Sequence, residues 1–215
     1  HVSGNIKEAQ KLYKEILKKR KKDFLLLNLL ATTCLQLKNF DEAIKYFNES
    51  IEINSKFPDN FNNRGIAYAE IKNYDQAISD YNNAINLKNN YFSAHLNKAI
   101  ALKNIQRYKE AIHSFETCIN INPSNPSIYN SLGNLFVILN KTNDALKAYN
   151  KAIDLNSSFA KAYSNRGDLN HKLQRYTIAL KDYESAIQLD YKLDYLYGKM
   201  VHTKMCINKW ENFDT

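Results

Sequence analysis

Proline, cysteine and tryptophan are scarce in this chain of 215 residues, at three, three and one. The prolines, Pro58, Pro123 and Pro126, fall only where one sequence repeat hands over to the next. That placement suits helix starts and stops and spares every helix interior. Cys34, Cys118 and Cys206 show no C-x-x-C spacing, which argues against a disulfide framework and for a reducing, cytoplasmic compartment. The longest apolar run, Phe24 to Leu35, is broken by Asn28, Thr32 and Thr33 and is too short to span a bilayer. Alternation of the β type is not sustained anywhere, so the expected class is all-α. There is no H-E-x-x-H, no Gly-rich phosphate loop and no Ser/His/Asp signal. His95, His113, His171 and His202 fall on different predicted helices with no partner spacing. These absences predict no catalysis, no metal and no cofactor.

What is present is a column of alanines. Ala9, Ala43, Ala77, Ala111, Ala145 and Ala179 recur every 34 residues without an insertion. Four residues after each stands a large aromatic: Tyr13, Phe47, Tyr81, Phe115, Tyr149 and Tyr183. Twelve before lies a second small column, Ala31, Gly65, Ala99, Gly133 and Gly167. Small or apolar residues follow at offsets 7 and 8, and offsets of 0, 4, 7 and 8 share one helix face. A fixed period of this length signals stacked helical repeats, in which each unit buries its apolar stripe only against a neighbour. The small columns let paired helices approach closely while the aromatic fills the space between repeats.

This pattern resembles the tetratricopeptide repeat (TPR), a helix–turn–helix unit. Phe61, Tyr129 and Tyr163 match its first aromatic position, Gly65, Gly133 and Gly167 its glycine, Tyr68 and Phe136 its next aromatic, and Pro123 its terminal proline. The resemblance implies an all-α, right-handed superhelical solenoid running from 1 to 215 as one array. Residues 3–20 read as the second helix of a repeat whose first helix is missing, so a longer parent protein is expected. Repeats follow at 24–57, 58–91, 92–125, 126–159 and 160–193, each with a first helix of about 14 residues and a short polar turn. Residues 194–215 read as a terminal helix and the start of a junction. Lys18 to Lys22, five consecutive cations, read as a solvated helix end favoured by the helix dipole.

The tail carries a second resemblance. Leu193 to Gly198, His202 to Cys206 and Trp210 to Asp214 are similar to the segment joining repeats to catalytic region in O-linked N-acetylglucosamine transferase (SPINDLY-type) glycosyltransferases. Lys209 stands where that family has Asp, and Cys206 sits about two positions early. This resemblance implies a module that presents polypeptide acceptors to an enzyme lying outside this chain.

In a TPR stack the first helices line the concave, partner-binding face. The register two positions before the small column holds Leu29, Asn63, Asn97, Ser131, Asn165 and Lys199. A primary amide offers two donors and an acceptor and can pair with both groups of an extended peptide backbone. Asn63, Asn97 and Asn165 match the asparagine ladder of the glycosyltransferase family, while Leu29, Ser131 and Lys199 interrupt it. TPR adaptors that grip chaperone C-termini use a Lys/Asn clamp; the best register here is Asn134, Asn165 and Lys199. Asn130 and Tyr195 stand where two of the clamp's lysines are due, so charge-assisted bonds are missing. The expected peptide-binding residues are therefore Asn63, Asn97, Asn165, Asn130, Asn134 and Lys199.

The net charge of +8 raises a nucleic-acid reading. An A/T-rich coding sequence also accounts for it, because Asn, Lys, Ile and Tyr are all over-represented. The expected function is a protein-binding module for extended polypeptide, in the glycosyltransferase setting above. Its alternatives are a free-standing scaffold or chaperone adaptor and a basic RNA-binding solenoid. No membrane partner is expected. An apolar solenoid end at Tyr13 and Ile16 predicts a possible homodimer.

Overall fold

A computed structural model describes residues 6–20, 22–190 and 195–207. Among them are twelve α-helices and no strand, as an all-α chain requires. First helices are α2 (Phe24–Gln36), α4 (Pro58–Glu70), α6 (Phe92–Asn104), α8 (Pro126–Ile138), α10 (Ala160–Lys172) and α12 (Tyr195–Ile207). Second helices are α1 (Ile6–Lys19), α3 (Phe40–Ile53), α5 (Tyr74–Leu87), α7 (Tyr108–Ile121), α9 (Thr142–Leu155) and α11 (Tyr176–Leu189). They form two compact units, His1–Ile121 with α1–α7 and Asn122–Thr215 with α8–α12, where the unbroken period alone predicts one array. Trp210 to Asp214, with Leu193 and Asp194 of the expected junction, lie outside the described residues.

Local chemistry sets the helix ends. Pro58 and Pro126 occupy the first turn of α4 and α8, where the missing N–H has no intrahelical partner to lose. Asp23 caps α2 by accepting from the Leu26 amide at 3.1 Å, and Asn125 caps α8 by accepting from Ser127 at 3.0 Å. At the other end of the first helices the chain reverses through Lys38, Lys72, Gln106, Asn140 and Gln174, all with φ between 56° and 62°. The N–H of Lys38 donates to Leu35 and that of Asn39 to Cys34, at 3.0 and 2.9 Å. This is a Schellman closure, repeated at each of the five turns with a side chain where glycine is usual. The sequence marks these turns as polar but not as left-handed.

The glycine column meets the aromatic column. A Cβ on Gly65 would lie 2.6 Å from Tyr81 Cε1, and one on Gly167 would lie 2.8 Å from the same atom of Tyr183. Gly133 abuts Tyr149 more closely still. Where the small residue is Ala31 or Ala99, the aromatic sixteen positions on is Phe47 or Phe115 instead. Tyr81, Tyr149, Tyr183, Phe47 and Phe115 are all buried.

One polar construction occurs twice inside this frame. Arg64 donates from Nε and Nη2 to the two Asp80 oxygens at 2.8 and 2.6 Å, and from Nη1 to Asn48 on α3 at 2.7 Å. Its guanidinium carbon lies 5.6 Å from the Phe61 ring centre. Arg166 does the same with Asp182 and, at 2.6 Å, Asn150 on α9. The structure ties each arginine across its own hairpin and back to the preceding repeat, because the planar fork matches a carboxylate at 16-residue spacing.

On α1, Tyr13 and Leu17 pack against the Leu30, Cys34 and Phe47 cluster. Lys14 pairs with Glu42, and Gln10 donates to the Cys34 sulfur at 3.1 Å. The expected apolar end at Tyr13 and Ile16 is thus altered: Tyr13 turns inward, and Leu12 joins Ile16 outside, at 54% and 36% exposed. No helix among the described residues is long and apolar enough to cross a membrane.

Candidate functional site

Neighbouring first helices enclose grooves of one design. In the first unit, α4 and α6 form a groove of about 380 Å³ floored by Tyr81, with Ile66 and Glu70 on one wall and Asn97 and Ile100 on the other. In the second unit, α8 and α10 form one of about 320 Å³ over Tyr149, walled by Asn134, Ile138, Asn165 and Asp168. A third, about 420 Å³ over Tyr183, lies between α10 and α12 and is lined by Asp168, His171, Lys199 and His202. The residue after each glycine faces one 31 positions on: Ile66 and Asn97, Asn134 and Asn165, Asp168 and Lys199.

The floor tyrosines are buried, and burial pushes their phenols above the ordinary range, so they stay neutral donors. Tyr149 donates to Asn134 Oδ1 at 2.7 Å, and Tyr183 to Asp168 Oδ1 at 2.9 Å. Each groove of the second unit therefore has a polar wall held in place from beneath. Ile100 and Ile138, 41% and 50% exposed, leave an apolar surface in the first two grooves.

The expected amides are found in crosswise pairs. Asn97 Nδ2 donates to Asn62 Oδ1 at 3.1 Å, and Asn62 in turn to Asn63 Oδ1 at 3.1 Å. Asn165 Nδ2 donates to Asn130 Oδ1 at 2.9 Å, repeating the Asn97–Asn62 pair. Asn62 and Asn130 are buried at 4% and 8% exposed, so they act as anchors. Asn97 and Asn165 each keep one N–H and the carbonyl for a further partner. Asn28 and Asn60 make a third such pair, with Asn60 passing the chain to Ser50 and the Phe24 carbonyl.

Asn134 and Asn165 share one groove, but Lys199 lies in the next. Its Nζ donates to both Asp168 oxygens at 2.7 Å and stands 5.2 Å from the Tyr195 ring centre. The cation expected for a carboxylate clamp is already paired. The sequence reading names Tyr81, Tyr149 and Tyr183 only as packing aromatics and does not name Asp168, which follows Gly167 as Asn134 follows Gly133.

Family models described as TPR repeat match residues 104–137 and 133–174. Others described as tetratricopeptide repeat match residues 23–90 and 160–193. The chain belongs to the tetratricopeptide repeat family. No curated protein matches the sequence. Among solved structures, this TPR chain is similar to residues 41 to the end of MamA from Desulfovibrio magneticus RS-1. The two are 23% identical over 86% of this chain and 97% of that one, with a TM-score of 0.71. It is similar also to YrrB, titled a TPR protein with an unusual peptide-binding site, at 14% identity, 87% and 96% coverage and a TM-score of 0.71. The C-terminal part of a TPR repeat-containing protein from Cytophaga hutchinsonii aligns at 18% identity, 94% and 81% coverage and a TM-score of 0.79. At these identities the likeness is one of fold. These comparisons lend no support to the glycosyltransferase junction.

Proposed function

We propose that this TPR module binds extended polypeptide along its first helices, with Asn63 and Asn97 holding peptide backbone in the first unit and Asn134 and Asn165 holding it in the second. The observation that carries this reading is the paired amide. Asn97 and Asn165 are each anchored on a buried neighbour and each retain unused hydrogen-bonding groups at a groove wall. Anchoring removes rotamer freedom before binding, which lowers the ordering cost of the complex. Backbone recognition of this kind tolerates varied side chains, and Ile100 and Ile138 add apolar contact. YrrB, a fold relative, is described as having a peptide-binding site. Asn130 serves as the anchor of Asn165, and Lys199 with Asp168 closes the far groove as an ion pair. A role as acceptor-recognition arm of an O-GlcNAc-transferase-like enzyme is the finer form of this reading and rests on the sequence likeness around Leu193 to Asp214 and on the register of Asn63, Asn97 and Asn165.

The test is selection of binders from a displayed library of unstructured peptides, followed by titration against the Asn63→Ala/Asn97→Ala/Asn165→Ala variant. We expect wild-type binders to lose about tenfold or more in affinity, as losing two or three net hydrogen bonds implies. They should also show a shallow salt dependence. Binders indifferent to the triple variant would remove the amides from the site. Affinity for RNA falling steeply with salt would instead point to counterion release and a nucleic-acid partner.

A further inference from the structure

The helix register brings together three side chains that the peptide reading leaves idle. His202 and Cys206 are four residues apart on α12 and share one face. His171, near the end of α10, meets them from the neighbouring first helix. His202 Nδ1 lies 3.2 Å from His171 Nε2, and Cys206 Sγ lies 4.0 Å from His202 Nδ1. All three donor atoms fall within 4.8 Å of one another.

These separations suit a tetrahedral ion. With metal–nitrogen bonds of ~2.05 Å and a metal–sulfur bond of ~2.3 Å, tetrahedral edges are about 3.3 Å for N···N and about 3.6 Å for N···S. The N···N edge is already met, and a small rotation of the half-buried Cys206 side chain shortens the two N···S edges. Two imidazoles and one thiolate make a set selective for zinc-like over hard cations. The lysines flanking His202 do not oppose a cation unscreened, since Lys199 is paired with Asp168 and Lys204 approaches Glu184 at 4.0 Å. Tyr176 packs edge-on against the His171 ring, with centroids 5.2 Å apart, and orients it. The site opens to the solvent-accessible groove between α10 and α12, so an ion has a path in and a water can complete the shell.

We propose that His171, His202 and Cys206 form a binding site for a zinc-class divalent transition-metal ion, with solvent as fourth ligand, that clamps α12 onto α10. On binding, the Cys206 thiol releases its proton to solvent and the sulfur bonds to the metal. No bond of the chain is broken and no electron is transferred. The ion pins the wall of the third groove and does not take part in holding the peptide amides.

The experiment is titration of the full chain with Co²⁺ under non-chelating reducing conditions, read by absorption. The expected result is one equivalent per chain, with visible bands of tetrahedral cobalt and a near-ultraviolet thiolate-to-cobalt band, both displaced by Zn²⁺. Cys206→Ser should abolish the thiolate band. His171→Ala and His202→Ala should each weaken binding at least tenfold while circular dichroism stays helical, and His113→Ala on α7 should change nothing. The proposal is overturned if no thiolate band forms at stoichiometric metal or if the band survives Cys206→Ser. It is equally overturned if both histidine variants bind like wild type, or if sedimentation shows the metal bridging two chains.

Discussion

Arg64 shows how one side chain closes its own hairpin, through Asp80, and joins it to the preceding repeat, through Asn48. Asp80 is buried, and burial holds its carboxyl above the usual range even though the Arg64 guanidinium pulls the other way. Arg64→Ala strands that carboxylate, and we expect a loss of about 3 kcal/mol at neutral pH in urea unfolding. The pH dependence has a definite sign. A carboxyl whose folded value lies above its unfolded value binds its proton more tightly in the native state. Stability tied to it is therefore greatest below the unfolded value and lost as pH rises through the raised folded one. Without Arg64 the folded value climbs further, so the variant's deficit should shrink as pH falls through the acid range; a deficit that grows instead would contradict the assignment. Gly133 makes a steric counterpart. Its Cβ-less face lies against the Tyr149 ring, and Gly133→Ala should cost about 1–3 kcal/mol through overpacking. Adding Tyr149→Phe, which restores the Ala–Phe pairing seen at Ala31/Phe47, should recover part of that loss, and strict additivity in the double-mutant cycle would refute the coupling.

At the scale of the element, the five turns closing the first helices are the places where local preference and geometry disagree. Left-handed backbone costs a non-glycine residue about 1–2 kcal/mol, yet Lys38, Lys72, Gln106, Asn140 and Gln174 all adopt it. The two Schellman hydrogen bonds at each turn hold the conformation in place. Gln106→Gly removes the strain while adding freedom to the unfolded chain. The net expectation is stabilisation of about 0.5–1 kcal/mol, read as a higher urea midpoint. The same change at Asn140 should gain less, because asparagine tolerates this conformation better than glutamine. Equal gains at the two sites would show that the turns are not under this strain.

Across the whole molecule, helical repeats gain stability from each hairpin and from nearest-neighbour stacking. The chain divides at the solvent-exposed Asn122, Pro123 and Ser124. Either side holds its own buried cluster, around Leu30 and Phe47 in one unit and around Tyr183 and Leu196 in the other. Fragments 1–121 and 122–215 made separately should each be helical by circular dichroism and unfold cooperatively. A fragment that is unfolded alone would show that its helices depend on the other unit.

The 34-residue period was enough to determine the helices, their pairing into hairpins and the small-against-aromatic packing. Residues at offsets 0, 4, 7 and 8 can bury one face only by stacking on a like neighbour. It also located Asn97 and Asn165, because their register repeats with the helices that carry them. What it did not contain was the identity of partners across space. Asn97 pairing with Asn62, Lys199 neutralised by Asp168, and His171 meeting His202 and Cys206 all depend on rotamers and on contacts between residues 31 to 35 positions apart. Such contacts exist only once two hairpins have packed, so the tertiary structure alone decided which of the polar side chains are anchored, which are paired off, and which remain free to bind.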